Sequence, residues 1–200
     1  MKSPHGPRRQ TNIRSCCRAR WLDPTTVVGP VRLGRMPTDD AFADVLAANK
    51  TYAAGFQYAE LEAHAARGLG VLTCMDSRID PLAMLGLAPG DAKILRNAGA
   101  RVTDDVLRTL VLASYLLDVD RVMVVAHTRC RMGGTEEDVH EAIRAAGGPD
   151  TRSISFLTTG DQESALHADV QRVRSWPYLG KVIVGGFMYD LDTGRLRHAC

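Results

Sequence analysis

The sequence predicts an α/β fold with a central, mainly parallel β-sheet flanked by helices, and with a C-terminal edge strand or hairpin. Short apolar runs of the kind found in buried parallel strands alternate with segments of helical periodicity. This alternation is the pattern of successive strand–helix–strand units, which build parallel sheets. Near the C-terminus, Asp192-Thr193-Gly194 lies between two strand-like segments and predicts the hairpin turn.

The individual elements are assigned from apolar periodicity and from residues that cap helices. Residues 38–66 predict a helical segment that Thr38 or Asp39 caps, that Gly55 interrupts and that resumes from Tyr58 to Ala66. Apolar runs predict strands at residues 70–73, 92–95, 121–126 and 181–184, and residues 186–197 predict a further strand or hairpin. Helices are predicted at residues 81–85, 103–117 and 162–176, and a glycine-broken turn followed by a polar helix at 132–146.

The distribution of charge divides the chain into two parts. Residues 1–35 contain eight Lys or Arg and one acidic residue, whereas the whole chain has a formal net charge of only +2. We expect residues 1–35 to be a disordered basic extension, or the result of a start assigned upstream of Met36, and residues 36–200 to form a single domain. The net acidic remainder argues against a nucleic-acid-binding body. No apolar run approaches the roughly 18 residues of a membrane span, so none is expected.

The five cysteines are an odd number without the regular spacing of a disulfide framework. This usage is typical of a reducing compartment, and we expect a cytoplasmic protein. Cys16 and Cys17 lie in the basic segment and Cys200 is the last residue, whereas Cys74 and Cys130 follow strand-like runs.

Potential metal ligands follow two of the predicted strands. Cys74-Met75-Asp76-Ser77-Arg78 comes directly after the first apolar run, and His127-Thr128-Arg129-Cys130 ends the third. Taken alone, the cysteine or histidine of either segment is adequately explained as a buried core residue. Together, the two segments offer two thiolates and one imidazole. That is a three-ligand zinc set with an open fourth position, as in catalytic rather than structural sites. A redox pair is disfavoured because neither cysteine belongs to a C-x-x-C motif.

The order of four motifs carries a resemblance to a known family. Cys-x-Asp-x-Arg at 74–78, Arg-Asn-Ala-Gly at 96–99, Val-Thr-Asp-Asp at 102–105 and His-x-x-Cys at 127–130 resemble the motifs of the β-class carbonic anhydrases. The resemblance runs from about Ala41 to Gly134 and returns at the C-terminal hairpin.

This resemblance implies a zinc lyase that reversibly hydrates CO₂ to bicarbonate and a proton by metal-bound hydroxide. It implies Zn²⁺ held by Cys74, His127 and Cys130, with Asp76 and Arg78 as a catalytic dyad. It also implies a homodimer or homotetramer with active sites at the subunit interface, and residues 36–200 as the catalytic domain.

Two other functions remain open at this point. One is hydrolysis of COS or CS₂ on the same scaffold, because these linear molecules are isosteres of CO₂. The other is a non-catalytic zinc-binding protein, which the presence of both Asp76 and Arg78 disfavours. The chain also departs from the family at Arg131, where Gly is usual, and at Arg129, where an acid is common. These arginines are expected either to hold small anions near the site or only to reshape the loop.

Several further polar residues are assigned by context. Asn97 and Gly99 either line the mouth of the site or form a plain turn. Asp104 and Arg108 are four residues apart near a helix start and predict an ordinary ion pair. Three histidines in polar, helix-like contexts are expected to be solvated, although one could relay protons: His64, His140 and His167.

Overall fold

The structure is a computed structural model, and it describes residues 41–200. The predicted basic extension, the boundary at Met36 and the helix caps at Thr38 and Asp39 lie outside these residues. In the described part, no helix is long and apolar enough to cross a membrane.

A five-stranded sheet forms the centre of the unit that comprises residues 45–200. The strands are β1 (Leu69–Cys74), β2 (Ala92–Asn97), β3 (Arg121–His127), β4 (Ile183–Tyr189) and β5 (Leu196–His198). Their spatial order is β2-β1-β3-β4-β5; the first four strands are parallel, and β5 pairs antiparallel with β4 at the edge. This confirms the predicted fold class.

The helices begin and end where capping residues permit. The helices are α1 (Ala43–Ala54), α2 (Pro81–Leu85), α3 (Asp104–Leu116), α4 (Glu136–Ala145) and α5 (Gln162–Arg174), with a short 3₁₀ segment at Ala98–Ala100. The Asp80 side chain accepts hydrogen bonds from two backbone N–H groups at the start of α2, and Gly86 ends that helix in a left-handed conformation with φ of 62°. The Thr103 side chain caps α3 by accepting a hydrogen bond from the Val106 N–H.

Both faces of the sheet bury apolar side chains, which explains why the strand sequences are continuously apolar. On one face, α3 and α5 pack against alternate residues of the strands, such as Leu72 and Val124. On the other face, Val71 and Val125 contact α2 and the following loop. Two fully buried helix side chains, Leu107 and Val170, lie in the larger cluster.

Two predicted elements were wrong. The helix from Tyr58 to Ala66 does not form, because N–H groups near its end pair with distant carbonyl groups: Ala65 N–H donates to Leu117 O at 2.9 Å and Ala66 N–H to Gly90 O at 3.0 Å. The fourth strand does not end at residue 184 but continues through two glycines. A Cβ at Gly186 would lie 2.6 Å from Cys200 Sγ, so this glycine provides space for packing and does not break the strand.

Strand register brings the predicted ligand segments together. Thr73 of β1 pairs with Val125 of β3, and Cys74 pairs with Asn97 of β2. Cys74 and His127 are therefore the last residues of adjacent parallel strands and lie at the same edge of the sheet. Ligands of α/β sheets bind at this edge, beyond the carboxyl ends of the strands.

Candidate metal centre

Cys74, His127 and Cys130 converge at the carboxyl edge of the sheet. Their potential ligand atoms all lie within 4.8 Å of one another, and the two sulfur atoms are 3.9 Å apart. Cys74 and His127 are buried, whereas Cys130 is partly exposed in the turn after β3. Two sulfur atoms and an imidazole at this separation are a donor set that suits a tetrahedral metal ion.

The hydrogen bonding of His127 leaves one ring nitrogen for a ligand role. Nδ1 lies 2.9 Å from the Thr128 carbonyl, which can only accept, so Nδ1 carries the proton and Nε2 has the lone pair. Nε2 is buried and has no hydrogen-bond partner among residues 41–200. Because an unpaired buried polar atom is costly, this orphaned nitrogen fits a site that holds a cation.

The two sulfur atoms interact strongly with each other. A hydrogen bond with Cys130 lowers the pKa of Cys74 to about 4, and the same contact raises the pKa of Cys130. The two thiols thus compete for one proton. A divalent cation between them would remove this competition, because a coordinated thiol is deprotonated.

Asp76 and Arg78 form a tightly paired dyad beside these ligands. Asp76 Oδ1 accepts from the Arg78 backbone N–H at 3.0 Å and from its Nε at 2.9 Å, while Oδ2 accepts from Nη2 at 2.6 Å. The guanidinium lowers the pKa of Asp76 below the usual range of an aspartate. Asp76 Oδ2 is 4.0 Å from His127 Nε2, so the carboxylate borders the ligand set while it is held by Arg78.

A residue that the sequence reasoning missed fixes the loop that carries Cys74 and Asp76. Arg96 of β2 donates from Nε to the Cys74 carbonyl at 3.0 Å and from Nη2 to the Asp76 carbonyl at 2.7 Å. Its position in the Arg-Asn-Ala-Gly motif, next to the residue that pairs with Cys74, was the available signal. Arg96 therefore orients the loop through its backbone.

Asn97 and Gly99, which were predicted to line the mouth or form a turn, have separate roles. Gly99 borders a small cavity together with His127 and Cys130, and its backbone N–H group helps to lower the pKa of the Cys74 thiol. Asn97 instead serves the turn, because its side chain bonds both the N–H and the carbonyl of Arg101, at 2.8 and 2.7 Å.

The two arginines that depart from the family pattern lie at the rim. Arg129 pairs with Asp192 of the C-terminal hairpin at 2.8 Å, and its backbone, with φ of 55°, presents its carbonyl to Arg78 Nη2 at 3.3 Å. Arg131 is exposed in the turn that follows Cys130. Arg129 therefore connects the dyad to the hairpin.

The predicted pair of Asp104 with Arg108 was wrong. Arg108 bonds Asp105, three residues before it, and Asp104 pairs with Arg172 of α5 at 2.5 Å. Each residue of the predicted pair therefore forms an ion pair with a different partner.

The three histidines differ in their surroundings. His64 is exposed and pairs with Asp118 at 2.7 Å, outside any helix. His167 is exposed on α5. His140 was expected to be solvated but is half-buried, where Nδ1 lies 3.0 Å from Thr151 Oγ1 and the ring packs against Phe156.

Comparisons with known proteins agree with this arrangement. The family model described as carbonic anhydrase matches residues 69–155. Beta-carbonic anhydrase 1 of Mycobacterium tuberculosis is 34% identical over 157 residues, which cover 76% of this chain and 94% of that protein. A carbon disulfide hydrolase of Acidianus is 32% identical, covering 66% of this chain and 76% of that protein. The crystal structure of a carbonic anhydrase from Streptococcus mutans superposes with a TM-score of 0.74 at 35% identity, covering 80% of this chain and 97% of that one.

Proposed function

Because the chain belongs to the β-carbonic anhydrase family, we propose that it is a zinc lyase that interconverts CO₂ and bicarbonate. The observation that carries this proposal is the buried, unpartnered Nε2 of His127, which shares a site with two cysteine sulfurs and lies next to the Asp76–Arg78 dyad. A structural zinc site would be closed by a fourth protein ligand, whereas this set of three leaves a position for reactants.

Cys74, His127 and Cys130 would hold the zinc ion through two sulfur atoms and one imidazole nitrogen. Zinc bound there would supply a Lewis acid that lowers the pKa of water and so makes a nucleophile near neutral pH. The Thr128 carbonyl contributes by fixing the ring of His127 with Nε2 directed inward.

Asp76 would orient the attacking water. Each carboxylate oxygen can accept about two hydrogen bonds; Oδ1 receives two from Arg78, but Oδ2 receives one. Oδ2 is also the oxygen that approaches His127 Nε2. A water O–H can therefore donate to Oδ2, which turns an oxygen lone pair toward the carbon of CO₂.

Arg78 keeps this acceptor in place and ionised. Its two side-chain bonds occupy both carboxylate oxygens and hold Asp76 away from the metal ligands. In the reaction, the water oxygen bonds to the carbon of CO₂, and the electrons of one carbon–oxygen π bond move onto that oxygen as negative charge. One proton of the water passes to buffer.

Hydrolysis of CS₂ or COS is the second candidate function. The specific observation that favours it is the similarity to the carbon disulfide hydrolase of Acidianus. The same site residues would orient water toward the carbon of either linear molecule, so the ligand set does not discriminate between the substrates.

One experiment separates the two functions. Stopped-flow hydration of CO₂ would be followed with a pH indicator on the zinc-loaded protein, beside assays of sulfide release from COS and CS₂ at the same protein concentration. We expect zinc-dependent CO₂ hydration that Asp76→Asn lowers, and little sulfide release. Rapid sulfide release without CO₂ hydration would replace the first proposal by the second.

We also propose a homodimer or homotetramer whose active sites lie at the subunit interface. Large apolar side chains that are more than half exposed support this, among them Leu46 and Tyr52 of α1 and Tyr115 and Leu116 of α3. Light scattering after size-exclusion chromatography tests the assembly, and a monomer at micromolar concentration would contradict it. The free thiols of Cys74, Cys130 and Cys200 support a cytoplasmic location.

A further inference from the structure

A buried ion pair lies behind the candidate metal ligands. Arg101 Nε donates to Asp169 Oδ2 at 2.6 Å, and the two side chains are only 17% and 7% exposed. Asp169 lies on the buried face of α5, among Leu166, Val170 and Val173. Because apolar residues often stabilise such a position as well as an ion pair does, stability alone does not explain a carboxylate there.

Arg101 joins two segments of the chain that border the site. Its Nη1 donates to the Leu157 carbonyl at 2.7 Å and to the Thr158 carbonyl at 3.4 Å. Its backbone is clamped by the Asn97 side chain across the turn at residues 98–100. A planar guanidinium can bind Asp169 and the loop carbonyls at the same time, which a lysine cannot.

The first of these segments supports the Cys74 sulfur. The turn directly adjoins Cys74, because Cys74 pairs with Asn97 in the sheet and the Met75 N–H donates to the Asn97 carbonyl at 2.9 Å. Gly99 lies inside the clamped turn with φ of 77°, and its backbone N–H group helps to lower the pKa of the Cys74 thiol. The position of this N–H group depends on the turn, and the turn is fixed at one end by Asn97 and Arg101.

The second segment supports the Cys130 sulfur. Thr159, which follows the carbonyls that Arg101 holds, donates from its backbone N–H and from Oγ1 to the Met132 carbonyl, at 2.7 and 3.1 Å. Met132 belongs to the turn that carries Cys130, and the Gly133 N–H closes this turn by donating to the Cys130 carbonyl at 3.0 Å. The Gly99 turn also contacts the turn that carries Cys130, because a Cβ at Gly99 would lie 3.3 Å from the Met132 side chain.

We propose that Arg101 and Asp169 are positioning residues that fix the backbone segments, and their N–H groups, beside both cysteine sulfurs and thereby tune the bound metal. Hydrogen bonds to a thiolate draw electron density from the sulfur, so the sulfur is a weaker donor and the metal a stronger Lewis acid. This compensates for the negative charge of two thiolates. The inference rests on the proposed metal site, and not on the choice of substrate.

The chain offers a matched control pair. Arg172, on the same helix as Asp169, donates from Nη1 to the Val102 carbonyl at 2.6 Å and pairs with Asp104 at 2.5 Å. This pair joins the same two parts of the fold, but it is exposed and does not border the cavity beside His127 and Cys130.

The experiment compares Asp169→Asn and Arg101→Lys with their controls Asp104→Asn and Arg172→Lys, each loaded with Co²⁺ in place of zinc. In the first two variants we expect the sulfur-to-cobalt absorption band to move to longer wavelength, because the sulfur atoms become more electron-rich. We also expect zinc affinity to fall roughly 10–100-fold, as is typical for loss of residues that support metal ligands, so zinc should be released to a chelator faster. The kcat for CO₂ should fall more than KM changes, and the controls should match wild type in band position and release.

Unchanged band and release in Asp169→Asn and Arg101→Lys, with a lower free energy of unfolding, would overturn the positioning role and leave the pair purely structural. If Asp169→Asn does not fold, Arg101→Lys decides, since it retains the charge opposite Asp169 but loses the fork that also reaches Leu157. A wild-type protein that shows no sulfur-to-cobalt band would instead refute the proposed metal site itself.

Discussion

Replacing Gly99 by alanine should damage the metal site more than the fold. Gly99 has φ of 77°, and its added Cβ would lie 3.3 Å from Met132 Cβ and Cγ. The left-handed backbone should cost about 1–2 kcal/mol for an alanine. The contact adds a further strain of about 1 kcal/mol or more, because Met132 must move by a few tenths of an ångström. That movement displaces the Met132 backbone in the turn that carries Cys130. The turn at Gly99, which adjoins Cys74, is strained as well.

Gly86→Ala is the matched control. Gly86 has φ of 62°, but no atom of the described residues beyond its chain neighbours lies within 4 Å of its added Cβ, so this variant carries the backbone strain alone. Urea denaturation should show a loss of about 1–2 kcal/mol in the free energy of unfolding for Gly86→Ala and a larger loss for Gly99→Ala. Zinc release to a chelator should accelerate only in Gly99→Ala. Equal release rates in the two variants would refute the reasoning that this turn supports the ligands.

Five further predictions follow from the site and the chain. Three substitutions of ligands should each abolish zinc binding and CO₂ hydration together: Cys74→Ser, His127→Ala and Cys130→Ser. Full zinc retention by elemental analysis in any of them would remove that residue from the ligand set. Asp76→Asn should keep zinc but lower kcat/KM for CO₂ by roughly 10²–10⁴-fold, and an unchanged kcat/KM would contradict its role. Because Arg78 lowers the pKa of Asp76, the stabilisation from their pair is complete above the ordinary aspartate pKa of about 3.9 and is lost as pH falls through the lowered value. The Tm difference between wild type and Asp76→Asn should therefore stay constant from about pH 5 to about pH 8. A chain shortened to begin at Met36 should fold, bind zinc and turn over like the full chain, and aggregation or loss of activity would show that residues 1–35 contribute. Combined Arg129→Asp and Arg131→Gly should weaken bicarbonate inhibition, whereas Asp192→Asn, which releases Arg129, should strengthen it; equal inhibition constants in all three proteins would leave the arginines a structural role.

The strands and the ends that carry the ligands could be predicted from sequence because the determinants are local. A strand buried on both faces must be apolar throughout, so the change to Cys74 or His127 at its end is visible in the sequence. The ligand residues then follow from register, because parallel strands end at a common edge. Local signals also predicted where α2 and α3 begin, and the structure shows that Asp80 and Thr103 cap these starts.

The failures arose where distant segments decided the outcome. The helix ending at Ala66 was displaced by hydrogen bonds to Leu117 and Gly90, which no periodicity reveals. Asp104 pairs with Arg172, 68 residues away, instead of the arginine one helical turn along. The Arg101–Asp169 pair could not be predicted for the same reason, since nothing near either residue in the sequence indicates a buried partner.

X-ray absorption at the zinc edge tests most directly that Cys74, His127 and Cys130 hold a metal with an open fourth position. The account predicts two sulfur atoms at about 2.3 Å, an imidazole nitrogen at about 2.0–2.1 Å and one further light atom. That light atom should persist in Asp76→Ala, because it comes from solvent and not from the carboxylate. A shell with three or four sulfur atoms, or with none, would contradict the account, as would loss of the fourth ligand in Asp76→Ala.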